Sequence, residues 1–312
     1  MHRLRSPSNL AAAAVAAALG LMAVPAPAQA PSTSAPDFGK FEIKATKLAP
    51  DFYTLEGQGG TISVLAGPDG VLLVDSQFAP LTDRLVAAIR AVTDQPIRFL
   101  VDTHVHPDHT GGNANFARLG ATIFAREQLR ERLEHPNPAA DGTPGKPAPP
   151  QALPVVTYDA PIALHVDGEH VVLLPVLRAH TDGDTVVVFP GHDILAVGDI
   201  FRSVGYPYVD IANGGTLAGE LEGLAEIVDR AGPATRIIPG HGPIVDRSAV
   251  IAQRDMLIAV RARVVALVAQ GKSLDEVVAA KPTADFDAHV PQGAQTADRF
   301  VKWVYAEVKA DR

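Results

Sequence analysis

Residues 103–112 read Thr103-His104-Val105-His106-Pro107-Asp108-His109-Thr110-Gly111-Gly112, directly after the apolar run IRFLVDT. Three of the chain's eleven histidines and a carboxylate fall within six positions of this stretch. Side chains alternate along a strand with period two, so a strand ending at Thr103 presents His104 and His106 on one side, where both can grip one ion. Pro107 turns the chain, which lets Asp108 and His109 reach a different point close by. Thr110-Gly111-Gly112 then allows the backbone to pass close before the next helix begins. One short loop can thus serve two metals. The chain has no cysteine, so every ligand must be nitrogen or oxygen. Zinc at a catalytic site takes imidazole or carboxylate ligands and keeps a position open for water.

Upstream of the motif, FEIKATKL, DFYTLEG, GTISVLAG and GVLLVD are strand-like runs separated by Pro, Asp and Gly. PLTDRLVAAIRAVT repeats apolar residues at helical spacing. Downstream come a short helix near Asn113–Leu119, a strand at ATIFA and a helix at REQLRERLEH, followed by residues 135–154 with seven prolines and no periodicity. That stretch reads equally as a surface linker or as a loop overhanging a pocket. A second strand-rich half follows (PVVTYD, IALHVDG, EHVVLLPVLR, DTVVVFP, DILAVGD), then a helix at LAGELEGLAEIVDRA, a strand at RIIPG, and helices over 248–270, 273–280 and 296–310. Two strand-then-helix halves predict two sheets packed face to face with helices outside. Further ligands belong at other strand ends. His180 follows EHVVLLPVL, Asp199 follows DILAV, and His241 follows RIIPG, each a polar residue beside glycine after an apolar run.

This arrangement resembles the metallo-β-lactamase superfamily. The pattern H-x-H-x-D-H is met at His104, His106, Asp108 and His109, and the later His, Asp and His are met in order at His180, Asp199 and His241. The resemblance implies an α/β four-layer αββα sandwich of two mixed sheets with outer helices, and two zinc ions per chain. It assigns His104, His106 and His180 to the first zinc, Asp108, His109 and His241 to the second, and Asp199 to a bridge between them. The remaining histidines fit no ligand pattern. Asp75, ending GVLLVD, reads as a strand-terminal cap or, in preference, as an acceptor for a ligand histidine, and Asp184 is expected to be structural. Tyr206 and Tyr208 follow the bridging position and read either as packed aromatics or as candidates to reach a substrate oxygen.

Composition narrows the setting. The first thirty residues open with Arg3 and Arg5, continue as an Ala/Leu/Val run and end in small residues, the layout of a secretory signal peptide. Cleavage is expected after Ala28, leaving a disordered lead-in over 29–40 and a single domain over 41–312, periplasmic or secreted, with no membrane span. The net charge of −8 argues against a nucleic-acid partner. The expected partner is a small molecule with a hydrolysable carbonyl, which a hydroxide held between the metals would attack. Asp108 would help to orient that nucleophile. Export places the chain where β-lactams act, so β-lactam hydrolysis ranks first and a lactone, ester or thioester second. An iron-dependent sulfur dioxygenase or a metal-binding protein is a remote alternative. The pattern is silent on oligomeric state.

Overall fold

The computed structural model describes residues 37–138, 142–291 and 296–310; the expected signal peptide, and all of the lead-in before Asp37, lie outside the described residues. Seven strands form one sheet in chain order: β1 (Lys44–Lys47), β2 (Phe52–Glu56), β3 (Ile62–Gly67), β4 (Gly70–Val74), β5 (Ile97–Val101), β6 (Thr122–Arg126) and β7 (Val156–Tyr158). The pairs from β1 to β4 are antiparallel and those from β4 to β7 parallel. The second sheet runs β12-β11-β10-β9-β8, built from β8 (Ile162–Val166), β9 (Glu169–Pro175), β10 (Thr185–Phe189), β11 (Ile194–Ala196) and β12 (Arg236–Ile238). Only its β11–β12 pair is parallel. The helices are α1 (Thr82–Arg90), α2 (Pro107–Thr110), α3 (Asn113–Arg118), α4 (Glu127–Glu134), α5 (Leu217–Arg230), α6 (Arg247–Ala269), α7 (Leu274–Ala279) and α8 (Ala297–Ala310).

Alternation along the strands builds the layers. In β4, Leu72 and Val74 enter a core shared with Leu173, Val187 and Phe189 of the second sheet, while Val71 and Leu73 face Leu85 and Ile89 of α1 and Phe116 of α3. A strand covered on both faces needs an unbroken apolar run, which is what GVLLV supplies. On the far side, Val186 of β10 and Leu195 of β11 pack against Leu224, Ile227 and Val228 of α5 and Val250 of α6. The order is therefore helix, sheet, sheet, helix, as expected. A fourth cluster joins the end of α6 to α7 and α8, where Val260 and Val264 meet Phe300 and Val304.

Two expectations need correction. Phe38–Lys40, expected to be disordered, form a single 3-10 turn. Arg84 donates to the carbonyls of Phe38, Gly39 and Phe41, and the Phe38 ring packs on Phe78 at 5.2 Å. In addition, β5 ends at Val101 rather than Thr103, because Thr103 leaves the ladder to donate its amide to the Asp75 carboxylate at 2.7 Å. His104 and His106 therefore converge from a bend leading into α2, and not from strand alternation.

Candidate metal centre

The bend after β5 is anchored from beneath by Asp75. This residue lies in the left-handed region at φ 70°, an uncommon place for a residue with a Cβ, and its carboxylate explains why the conformation persists. Oδ1 accepts from the Thr103 amide, while Oδ2 accepts from the Thr103 hydroxyl at 2.9 Å and from His109 Nδ1 at 2.7 Å. The Thr103 oxygen in turn lies 3.0 Å from His104 Nδ1. One carboxylate thus orients two imidazoles and leaves the Nε2 of each pointing into the centre. The expectation for Asp75 is met, with Thr103 as an unforeseen link.

Two groups of ligands result. His104 Nε2 lies 3.2 Å from His106 Nδ1, which is 3.0 Å from His180 Nε2; Asp199 Oδ2 is 3.9 Å from His180 Nε2. In the neighbouring group, His241 Nε2 is 3.1 Å from Asp108 Oδ2 and 3.4 Å from His109 Nε2. Asp199 turns its other oxygen, Oδ1, toward this second group, 3.5 Å from His109 Nε2 and 3.4 Å from His241 Nε2. Ligands about 2.1 Å from a tetrahedral ion stand about 3.4 Å apart, so both spacings suit a metal. Within each group, the donor atoms all lie within 4.8 Å of one another. Asp199 is almost fully buried and its Oδ1 has no hydrogen-bond donor. An orphaned carboxylate oxygen between two imidazoles fits a cation there.

Burial, with the charge of neighbouring imidazoles, holds His104 well below the ordinary histidine value and pushes His180 down to about 3. Both rings are therefore neutral, with a lone pair to offer. Burial works against a charge on His109 too, yet the Asp75 and Asp199 carboxylates outweigh it and hold the ring well above its ordinary value. A metal at His109 Nε2 must displace a proton. Burial likewise opposes the charge on Asp108, but the hydrogen bond from His241 and the charge of His109 prevail, leaving its carboxyl at about 2.

Three orienting contacts had no local sequence signal. Asp210 Oδ2 accepts from His106 Nε2 at 2.8 Å, the Tyr208 carbonyl accepts from His180 Nδ1 at 2.7 Å, and Arg202 Nη1 donates to Asp199 Oδ2 at 2.7 Å. Asp184 is structural as expected, accepting from the amide and hydroxyl of Thr181. Tyr206 is a correction. Its ring packs on Phe300 in the helical cluster and its hydroxyl donates to Asp287, which commits it away from the centre. Tyr208 contributes its backbone, and its ring stacks beside His106 at 6.3 Å. The Pro-rich stretch follows the pocket reading: Pro136, Lys146 and Pro149 border a cavity of about 550 Å³ that also reaches His106 and Val105.

The fold is shared with several known proteins. The stereoselective inverting sec-alkylsulfatase Pisa1 from Pseudomonas sp. superposes with a TM-score of 0.66 at 17% identity, over 84% of this chain and 50% of that one. A metallo-beta-lactamase from Pontibacter korlensis gives 0.58 at 20% identity, over 70% of this chain and 99% of that one. A linear primary-alkylsulfatase from Pseudomonas sp. (strain ATCC 19151) is 30% identical over 77 residues, 22% of this chain and 15% of that protein. The chain thus spans a small part of the primary alkylsulfatase and half of Pisa1. The family model for the metallo-beta-lactamase superfamily matches residues 55–262, a span that holds all seven candidate ligands. The chain accordingly belongs to the metallo-beta-lactamase superfamily.

Proposed function

We propose that the chain is a dinuclear zinc hydrolase acting on a small molecule with a hydrolysable carbonyl, with β-lactams as the first substrate class. The single observation that carries the dinuclear part is Asp199, which aims one oxygen at each ligand group. The all-nitrogen-and-oxygen donor set, rich in imidazole, suits zinc. When bound, zinc would supply Lewis acidity and lower the pKa of a water toward about 7.

The chain's own residues then have distinct tasks. His104, His106 and His180 are held in one tautomer each by Thr103, Asp210 and the Tyr208 carbonyl, so no reorganisation is needed at the moment of reaction. Arg202 fixes the orientation of Asp199. Asp108 is ionised and its side chain, 24% exposed, is the more open of the two carboxylates. It is placed to orient the attacking water.

β-Lactams come first because the first thirty residues predict export and because the fold is that of a metallo-beta-lactamase over nearly that protein's whole length. Esters, including sulfate esters, form a second reading, which the longer reach of the alkylsulfatase likeness along this chain favours. Hydrolysis of a chromogenic cephalosporin by the zinc-loaded protein, beside a chelated sample and Asp108→Ala, tests the first. Turnover lost in both controls supports it; no turnover by a protein holding two zinc ions rejects β-lactams in favour of esters.

A further inference from the structure

The cavity of about 550 Å³ beside the centre is unevenly charged. Val105, Leu133, Pro136 and Pro149 give it apolar walls, and His106, whose Nδ1 faces the first ligand group, forms part of its border. No Asp or Glu lines it, while Arg132 and Lys146 do. Arg132 is paired with Asp182 at 2.7 Å. Lys146 is exposed and has no hydrogen bond or ion pair among the described residues, which leaves its ammonium as the uncompensated charge of the lining. The loop that carries it is braced. The Ala148 amide donates to the Leu133 carbonyl at 2.8 Å, and Asn137 Nδ2 donates to the Ala212 carbonyl at 2.6 Å. Gly145 passes so near Pro136 and Asn137 that a Cβ on it would lie 2.6 Å from the carbonyl oxygen of each. Pro144 and Pro147 flank the Gly145–Lys146 pair and limit the backbone further. A cation held on a braced loop beside apolar walls, in a chain of net charge −8, suits a ligand with an apolar body and an anionic oxygen group.

We propose that this cavity takes the end of the substrate remote from the scissile bond, an apolar segment bearing a carboxylate that pairs with Lys146, and that it thereby selects anionic substrates over neutral ones of the same size. This rests on the hydrolase reading. The scissile bond itself stays outside the cavity, past His106, whose side chain is 19% exposed at the border between cavity and centre. Lys146 therefore sets specificity: it meets the remote anion and no reacting atom. Because Lys146 is exposed, the pair is worth a few-fold in affinity, and it weakens as salt screens it.

The test uses the full zinc-loaded chain. Binding of phenylacetate and of the neutral phenylacetamide is measured by calorimetry, and kcat/KM is compared for p-nitrophenyl hexanoate and mono-p-nitrophenyl adipate, whose acyl chains match in length and differ by a terminal carboxylate. Zinc attracts carboxylates in every variant alike, so the comparison among variants isolates Lys146. Lys146→Met is expected to weaken phenylacetate about fivefold at low salt, to leave phenylacetamide as it was, and to lower the adipate-to-hexanoate ratio by a similar factor. Lys146→Arg restores both, and high salt narrows the difference between wild type and Lys146→Met. Ala148→Phe, whose ring fills the cavity from the same loop, weakens phenylacetate and phenylacetamide together. Equal phenylacetate affinity in wild type and Lys146→Met would overturn the proposal, as would equal affinity in wild type and Ala148→Phe. Phenylacetate affinity that falls in Lys146→Met and returns in Lys146→Arg, in a protein that cleaves neither ester, upholds the cavity and counts against ester hydrolysis alone. Matching thermal midpoints of the variants and wild type exclude misfolding as the cause.

Discussion

Asp75 carries much of the centre without touching a metal position. Removing it frees His109 and the Thr103–His104 pair at once, so Asp75→Ala should lower metal affinity about 10- to 100-fold, read by competition with a chromogenic chelator. Gly240 is as decisive for a steric reason, since a Cβ there would overlap Asp199 Oδ1. Gly240→Ala should retain the far-ultraviolet spectrum of the fold and lose metal binding. A pH effect arises away from the centre. His192 lies between Glu169 and Asp51; although burial opposes its charge, those carboxylates raise its pKa above the ordinary 6.5. Burial opposes the Glu169 charge as well, but the Gly191 amide and His192 lower its pKa below the ordinary 4.5. The raised group stabilises fully below 6.5 and is lost as the pH climbs through its folded value. The lowered group stabilises above 4.5 and is lost on acidification. His192→Gln should therefore shift the urea midpoint more at about pH 6 than at about pH 9; equal shifts would contradict this. The clustering of the seven candidate donors was legible because they are spaced motifs at the ends of apolar runs. Asp210 and the Tyr208 carbonyl were not, because their partners His106 and His180 lie far away in sequence and leave no local pattern. Tyr206 shows the converse error: nearness in sequence to Asp199 did not place its hydroxyl at the centre.

Among the elements, alternation and helical spacing announced the strands and the long helices, because burial on one or two faces imposes the period. The four-residue helix α2 was read only as a turn, since a single turn has no period to detect. The point where β5 ends was set by a side chain on β4, information that no strand carries about itself. The C-terminal helices share a buried cluster with α6, and α7 opens with a capping box in which Ser273 accepts from the Glu276 amide and Glu276 accepts from the Ser273 amide. Ser273→Ala should cost about 1 kcal/mol. Phe300→Ala, in the fully buried interior of that cluster, should cost about 3–5 kcal/mol. Chemical denaturation distinguishes the two, and a Phe300→Ala cost under about 1 kcal/mol would contradict the packing described.

At the scale of the whole molecule, the centre is where the two halves of the chain meet. The first half supplies His104, His106, Asp108 and His109, and the second His180, Asp199 and His241. Metal binding should therefore tie both halves together, and chelation should lower the thermal midpoint as well as stop turnover, because a ligand bound only by the folded state stabilises it. Uptake should also release protons near neutral pH, His109 being the group that must give one up. The most direct test of the dinuclear account is to strip the chain with chelator and titrate zinc back while following hydrolysis of a substrate the native protein cleaves. The account predicts that activity climbs until two equivalents of zinc are bound per chain and then levels off. Full activity at one equivalent, or activity that ignores zinc altogether, would contradict it.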